Sequence, residues 1–215
     1  MNINDKTKGI LCVVRHGQTS WNLEGRMQGR EEVPLNETGI SQAEDAAVGI
    51  KKAVDECGLK FNKVISSPLG RAVHTAEIIM KKIGCIDLGK DERLLERDFA
   101  SLSGYTYDNY ARAIHAGAKG VEDIESIEAM LERARSFIYD EVKPGDRVLV
   151  VTHGAMASTL GKYSKKAPSV PEESVGSVGN CHVSFYTYDG EDIVLEGFNI
   201  HPDNVAEFIS ENLEE

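Results

Sequence analysis

Three short apolar runs, each followed by a helix-like pattern, constrain the fold of this chain more than any other feature of its sequence. Aliphatic and β-branched residues dominate each run, as is typical of strands that are buried on both faces of a sheet. The runs are ILCVV (residues 10–14), KVISS (63–67) and RVLVVT (147–152). Because strands that alternate with helices pack as a parallel sheet covered on both faces, the sequence predicts an α/β fold.

Glycine, serine and proline indicate where the first two helices begin and end. Apolar residues recur at helical spacing over residues 40–54, and Gly58 stands where a C-terminal cap belongs. For the next helix we expect Ser67 as the N-terminal cap, Pro68 in the first position and Gly84 at the C-terminal end.

Two further segments complete the predicted architecture. In residues 181–199 an Asp-Gly pair separates two strand-like runs, which predicts an antiparallel hairpin at the sheet edge. Two helical patterns within residues 100–143 predict a small helical lid. We therefore expect a single domain over residues 1–215, a three-layer α/β sandwich with a mostly parallel central sheet and helices on both faces.

The charge and the polar N-terminus restrict the classes of partner. A formal net charge of -11 and a pI near 5.1 disfavour binding to nucleic acid or to a membrane surface, because an acidic protein repels polyanions. The run ILCVV is too short for an export signal or a membrane span, so we expect a cytoplasmic protein. Its partner is expected to be a small metabolite, and a monomer and a homodimer both remain open.

Neither the cysteines nor the histidines have the spacing of a metal site. The four cysteines contain no C-x-x-C pair, and the six histidines form no zinc-type motif. The sequence therefore predicts no metal and no cofactor.

Two arginines and two histidines follow the predicted strands, at the sheet edge where open α/β folds bind ligands. Arg15 and His16 follow the first strand, Arg71 begins the helix after the second, and His153 follows the third. A single histidine or arginine at a strand end is most often structural, but four together suit a tetrahedral dianion. Arg71 lies near a helix N-terminus, which favours an anion beside it.

Binding a phosphate monoester is not enough to hydrolyse it, because the uncatalysed reaction is extremely slow. A nucleophile and a general acid are also needed. Among the clustered groups only a histidine can attack phosphorus, since arginine stays protonated and the nearby serines lack an evident base. The arginines would favour the neutral imidazole that this attack requires.

Five ordered blocks resemble the histidine phosphatase superfamily, which includes the cofactor-dependent phosphoglycerate mutases. The resemblance spans roughly residues 10–160 and includes the family's Arg-His-Gly triplet at Arg15, His16 and Gly17. The blocks are RHGQTSWN, GRMQG, PLNETGISQA, SSPLGRAVHTA and VTHG.

The resemblance implies a role for each matched residue. His16 would be the nucleophile that becomes phosphohistidine, with Arg15, Arg71 and His153 completing the phosphate pocket. The resemblance also places four residues in substrate binding: Asn22, Gln28, Gly17 and Thr19. Glu96 stands in the place of the general acid, with Glu92 and Asp98 as competing choices.

The chain departs from the family pattern at two positions and resembles the phosphatases more than the mutases. Ala100 stands where relatives commonly have glycine, and Gln18 where many have glutamate. The resemblance implies a longer, arginine-rich insertion in mutases between the general acid and the second pocket histidine, and an Asn-Ser-x-Arg continuation that HGAMAS lacks. We therefore expect a metal-independent phosphatase for small phosphate monoesters. A phosphoglycerate mutase and a phospho-ligand binding protein are the alternatives.

The substrate itself has no readable motif. We expect selectivity to depend on residues 100–143 and on the loop over residues 164–180. Four histidines receive no role: His74, His115, His182 and His201.

Overall fold

A seven-stranded sheet organises the protein, whose computed structural model describes residues 6–85 and 87–212. The strands in this part of the chain are β1 (Gly9–Arg15), β2 (Lys63–Ser66), β3 (Leu88–Lys90), β4 (Arg147–Thr152), β5 (Lys165–Lys166), β6 (Val183–Tyr188) and β7 (Ile193–Ile200). The α-helices are α1 (Ser20–Leu23), α2 (Glu37–Cys57), α3 (Gly70–Ile83), α4 (Tyr107–His115), α5 (Ile127–Glu141), α6 (Gly154–Tyr163) and α7 (Val205–Glu211).

Strand β1 lies in the middle of the sheet, whose order is β3-β2-β4-β1-β6-β7-β5. It pairs in parallel with β4 and antiparallel with β6, and its register places Arg15 opposite Thr152. Strand β2 pairs in parallel with β4, with Ser66 opposite Val151. The carboxyl ends of β1, β2 and β4 therefore meet at one edge, as the sequence predicts.

Alternate residues of β1 face two separate hydrophobic cores. Ile10, Cys12 and Val14 pack with buried residues of α2, α3 and α7. Leu11 and Val13 pack with buried residues of α5 and α6. This alternation gives a three-layer sandwich with helices on both faces, and the predicted fold class is confirmed.

The predicted helix ends are right for α2 and partly wrong for α3. Gly58 and Gly84 both adopt left-handed conformations at the C-termini, with φ of 75° and 77°, which glycine accepts without a steric penalty. The N-terminus of α3, however, begins at Gly70 rather than Pro68. Ser67, whose amide donates to Val151 O at 2.9 Å, does not cap the helix, because the N-cap position is occupied by Leu69.

The antiparallel hairpin is confirmed as β6 and β7, joined through the Asp189-Gly190 turn, but the short β5 pairs with β7 and forms the sheet edge in its place. Strands β3 and β5 are not in the sequence prediction, because segments of three and two residues are too short to show a period.

The region predicted as a lid divides into two helices with different surroundings. Helix α5 buries Met130, Ala134, Phe137 and Ile138 and belongs to one face of the sandwich. Helix α4 contains no buried residue and lies outside the layers. Within the described residues, no helix combines the length and apolar character needed to cross a membrane.

Candidate active site

The ring of His16 is buried at the end of β1 and makes one contact through each nitrogen. Its Nδ1 lies 2.7 Å from the carbonyl oxygen of Gly17, which can only accept, so Nδ1 carries the proton. Arg71 Nε donates to His16 Nε2 at 3.2 Å. Nε2 is therefore unprotonated, with its lone pair toward Arg71, and both residues line the same cavity.

Two glycines allow the loop after β1 to lie directly against the start of α2. A Cβ on Gly17 would lie 2.3 Å from Gly39 O, and a Cβ on Gly39 would lie 2.0 Å from Gln18 O. Asn36 caps α2 by accepting from Gly39 N at 2.8 Å, and its amide donates to Gln18 Oε1 at 3.0 Å. This contact fixes the Gly17 carbonyl that sets the tautomer of His16.

Backbone carbonyls, rather than carboxylates, hold the two arginines. Arg71 donates to Glu31 O at 2.6 Å and to Gly29 O at 2.8 Å. Arg15 donates through Nη1 to Val178 O, and its buried Nε has no hydrogen-bond partner within the described residues. Because a carbonyl leaves the cation's full charge in place, both guanidinium groups remain available to an anion.

His153 lies beside His16 with a ring-centroid distance of 5.1 Å. Its Nε2 lies 2.7 Å from Ser67 Oγ, so the serine predicted as a helix cap instead contacts this imidazole. Its buried Nδ1 has no hydrogen-bond partner in the described part of the chain. The unpartnered atoms of His153 and Arg15 fit a site built for a polar ligand.

Burial and neighbouring charge keep both imidazoles neutral. Burial lowers the pKa of His16 well below its usual value, and the charges of Arg71 and then Arg15 lower it further. The pKa of His153 is also lowered well below the usual value, again chiefly by burial and then by Arg71. Burial lowers the pKa of Arg71 to about 10, which leaves it protonated at neutral pH.

Of the three candidate acids, Glu96 is the one that lines the cavity with His16, Arg15 and Arg71. It is 9% exposed, and its oxygens accept from Arg97 N at 2.9 Å and from Ala155 N at 3.2 Å. Ala155 belongs to the first turn of α6, so the N-terminal end of this helix helps to hold the Glu96 side chain in place.

The other two candidate acids point elsewhere. Glu92 is exposed in a 3₁₀ turn, Glu92–Leu94. Asp98 accepts from Ala100 N at 2.8 Å and pairs with Arg30 at 3.5 Å.

Two of the four predicted substrate-binding residues reach the cavity wall. Asn22 and Gln28 line it. Gly17 does not line the cavity, and its amide instead donates to Thr75 Oγ1 at 3.1 Å. Thr19 is fully buried, and its hydroxyl donates to Gln28 Oε1 at 3.0 Å. Gly17 and Thr19 thus lie behind the cavity, where Thr19 supports Gln28.

Asn180 is a residue of this site that sequence reasoning missed. Its Nδ2 donates to His16 O at 2.9 Å and lies 3.4 Å from Asn22 Oδ1. No motif surrounds it, and the only sequence indication is its place at the end of the loop over residues 164–180.

The cavity has a volume of about 270 Å³, and outside the Arg15, His16 and Arg71 group its wall contains both polar and apolar residues. The residues of this outer wall, also missed, are Arg26, Met27, Phe99, Tyr107, Ser158, Ser177 and Val178. Tyr107 comes from α4, so the predicted lid region contributes to the cavity.

Taken together, the inner cavity offers two cations, a neutral imidazole lone pair and a carboxyl group. Each close cation–anion pair is worth about 4 kcal/mol at an effective dielectric constant near 20. Such a set can bind a tetrahedral dianion, attack it and exchange a proton with its leaving group.

Comparison with known proteins gives matches over most of the chain. The profile of the family described as "Histidine phosphatase superfamily (branch 1)" matches residues 11–201. "Phosphoglycerate mutase-like protein 4" from Arabidopsis thaliana is 34% identical over 195 residues, which cover 84% of this chain and 80% of that protein. "Uncharacterized phosphatase PhoE" from Bacillus subtilis is 30% identical over 193 residues, or 89% of this chain and 94% of that protein.

Solved structures agree as well. A mycobacterial glucosyl-3-phosphoglycerate phosphatase, solved in complex with VO3, superimposes with a TM-score of 0.70 at 25% identity. The match covers 89% of this chain and 99% of that one. The relatives and structural neighbours thus include both mutases and phosphatases.

Proposed function

This chain belongs to the histidine phosphatase superfamily, and from that membership we propose that it is a metal-independent phosphatase that hydrolyses small phosphate monoesters through phosphohistidine on His16. One observation carries the proposal. His16, whose unprotonated Nε2 accepts from Arg71 Nε at 3.2 Å, lines one cavity with Arg71, Arg15 and Glu96.

In the first step the phosphate oxygens bind to Arg15, Arg71 and His153, and Nε2 of His16 attacks phosphorus. The bond from phosphorus to the ester oxygen breaks, and the leaving oxygen takes the electron pair together with a proton from Glu96. The Gly17 carbonyl accepts from Nδ1 throughout, which stabilises the positive charge that the ring acquires when Nε2 is phosphorylated.

In the second step water attacks the phosphohistidine while the Glu96 carboxylate takes its proton. The bond between phosphorus and Nε2 breaks, its electron pair returns to the imidazole, and phosphate leaves. Glu96 is then protonated again, as the next cycle requires.

The cavity-lining residues that come from the lid region include no basic group, which supports hydrolysis rather than transfer to a second substrate. The segment between Glu96 and His153 contains five arginines, none of which is among the cavity-lining residues: Arg97, Arg112, Arg133, Arg135 and Arg147. In a mutase of this family, arginines from this segment would be expected to hold the carboxylate of phosphoglycerate.

The test is phosphate release from a panel of phosphorylated metabolites in EDTA, by the wild type, His16→Ala and His74→Ala. His74 is exposed one turn beyond Arg71 on the same helix and serves as the matched control. We expect His16→Ala to lose phosphate release and the acid-labile phosphoenzyme together, while His74→Ala keeps both. Full activity in His16→Ala would refute the mechanism.

Two other outcomes favour the alternatives. Transfer of phosphate between hydroxyl groups of a substrate, without net release, would indicate a mutase. Saturable binding of inorganic phosphate with neither reaction would indicate a binding protein.

A further inference from the structure

One side chain from α5, that of Arg133, bonds to three carbonyls of the backbone segment that carries Glu96. Arg133 donates from Nη1 to Arg93 O and Leu95 O, both at 2.7 Å, and from Nη2 to Glu96 O at 3.2 Å. Three carbonyls within four consecutive residues thus converge on one guanidinium group. Because carbonyls accept in fixed directions, this contact defines the path of the chain through Glu96.

Glu125 occupies the remaining donors of Arg133 and holds the chain on the other side of Glu96. Arg133 donates from Nε to Glu125 Oε1 at 2.7 Å and from Nη2 to Glu125 Oε2 at 2.9 Å. Glu125 Oε2 also accepts from Asp98 N at 3.1 Å. In the main chain, Glu125 N donates to Asp98 O at 2.9 Å and Arg97 Nε donates to Glu125 O at 2.7 Å.

This Arg133–Glu125 clamp uses all five N–H donors of the guanidinium group. The side chains are 15% and 11% exposed, so water competes little for these contacts. Burial raises the pKa of Glu125, but its bonds with Arg133 outweigh burial, and the net shift is downward. The pair therefore stays ionised at neutral pH.

We propose that Arg133 and Glu125 are positioning residues for the general acid: they hold residues 93–98 so that the Glu96 carboxyl reaches the leaving oxygen. The proposal rests on the phosphatase function proposed above. Neither residue lines the cavity, so each acts on the reaction through Glu96.

The dependence on leaving group separates this role from a general contribution to stability. Protonation matters for an alkyl alcohol, which is a poor leaving group, and little for p-nitrophenol. A displaced Glu96 therefore slows alkyl phosphates selectively, whereas a loosened fold slows every substrate alike.

The experiment measures kcat for p-nitrophenyl phosphate and for an alkyl phosphate in the wild type, Arg133→Met, Glu96→Gln and the double variant. We expect Arg133→Met to lose about tenfold or more on the alkyl ester and less than about threefold on p-nitrophenyl phosphate. In the double variant the alkyl rate should fall no further than in Glu96→Gln alone, because both changes remove the same proton transfer.

Arg135→Met is the matched control, since Arg135 is exposed on the same helix and is expected to keep wild-type rates on both substrates. Glu125→Gln supplies a second variant that preserves side-chain shape. Glu125→Gln should show the same selective loss on the alkyl ester, and it tests the proposal even if Arg133→Met does not fold.

Equal losses on both substrates, or a double variant in which the losses multiply, would overturn the clamp while leaving the phosphatase function intact. No turnover of either ester by the wild type would overturn the phosphatase function and the clamp with it.

Discussion

At the residue scale, the reactivity of His16 depends on contacts that act on different atoms of one ring. The Gly17 carbonyl fixes the proton on Nδ1, and Arg71 lies next to the lone pair of Nε2. Burial disfavours the imidazolium form. The proposed nucleophile therefore already has the tautomer that the attack requires, and no proton shift on the ring has to precede the reaction.

Because His16 and His153 are buried as neutral imidazoles, we expect the free energy of unfolding to decrease in mild acid. The unfolded chain takes up protons on these histidines below a pKa of about 6.5, whereas folded His16 and His153 resist protonation. Their contribution to stability is thus complete above about pH 6.5 and is lost as pH falls toward the lower folded-state values. We expect a slope of up to about 2.7 kcal/mol per pH unit from the two groups, measured by urea unfolding between about pH 6.5 and 5.5.

A variant that lacks one of the two buried histidines separates their effect on stability from that of the carboxyl groups. The slope should be about halved in His153→Gln, because one of the two groups has been removed. An unchanged slope in that variant would show that other residues cause the pH dependence.

The position of Glu96 predicts which carboxyl group serves as the acid. We expect Glu96→Gln to slow hydrolysis of alkyl phosphates by about 10²-fold or more and to affect p-nitrophenyl phosphate far less. Asp98→Asn is the comparison, because Asp98 lies nearby in the chain but pairs with Arg30. Selective loss in Asp98→Asn instead would assign the acid to Asp98.

The sequence predicted best those residues whose place is set by a strand. Arg15, His16 and His153 follow buried strands of fixed register, so their convergence could be deduced from the apolar runs. Asn180 could not be deduced, because it contacts His16 from far along the chain through a loop. Gly17 and Thr19 were placed at the cavity by motif alone, which does not determine where an amide or a hydroxyl points.

At the element scale, the 3₁₀ turn Ala100–Leu102 is strained where the family resemblance expects glycine. Ala100 has φ of 49°, in the left-handed region that residues with a Cβ seldom occupy. Its amide donates to Asp98 Oδ1 at 2.8 Å, which helps to maintain this conformation. The turn follows Phe99, a residue of the outer cavity wall.

Ala100→Gly should relieve this strain. We expect the free energy of unfolding to rise by about 1 kcal/mol and the melting temperature by roughly 2–4 °C. Ala111→Gly is the matched control in exposed, regular helix, where the same change should cost about 0.5–1 kcal/mol. Calorimetry of both variants measures the difference. Destabilisation of similar size in both would contradict strain at Ala100.

The ends of α2 and α3 show which features of a helix can be predicted from sequence and which cannot. The glycines that end α2 and α3 were predictable because a left-handed residue is a local requirement. The start of α3 was not, because Ser67 contacts His153, a partner that only the tertiary structure supplies.

At the scale of the whole molecule, a net charge of -11 surrounds a cavity that contains Arg15 and Arg71. The net negative charge of the protein repels a dianionic substrate, whereas the two arginines of the cavity attract it. The surface carboxylates lie farther away, and salt screens them over about 8 Å at physiological ionic strength. The near arginines should therefore dominate.

The dependence of kcat/KM on ionic strength tests this balance. We expect kcat/KM for p-nitrophenyl phosphate to fall as salt is added from about 0.01 M to 0.15 M, because screening weakens attraction to the arginines. Two salts with different anions at equal ionic strength separate screening from competition by the anion. A rise in kcat/KM with salt would show that the overall negative charge controls binding.

The position of β1 also has a consequence for biosynthesis. The strand that carries Arg15 and precedes His16 is synthesised well before its neighbours β4 and β6, which begin at Arg147 and Val183. One edge of this apolar strand stays unpaired until β4 has been translated, and the other until β6 has been translated. Pairings so distant in sequence form slowly and expose the nascent chain to aggregation. The segment that carries the proposed nucleophile is thus made before the strands that enclose it, and its apolar edges are open to pairing with other chains during that interval.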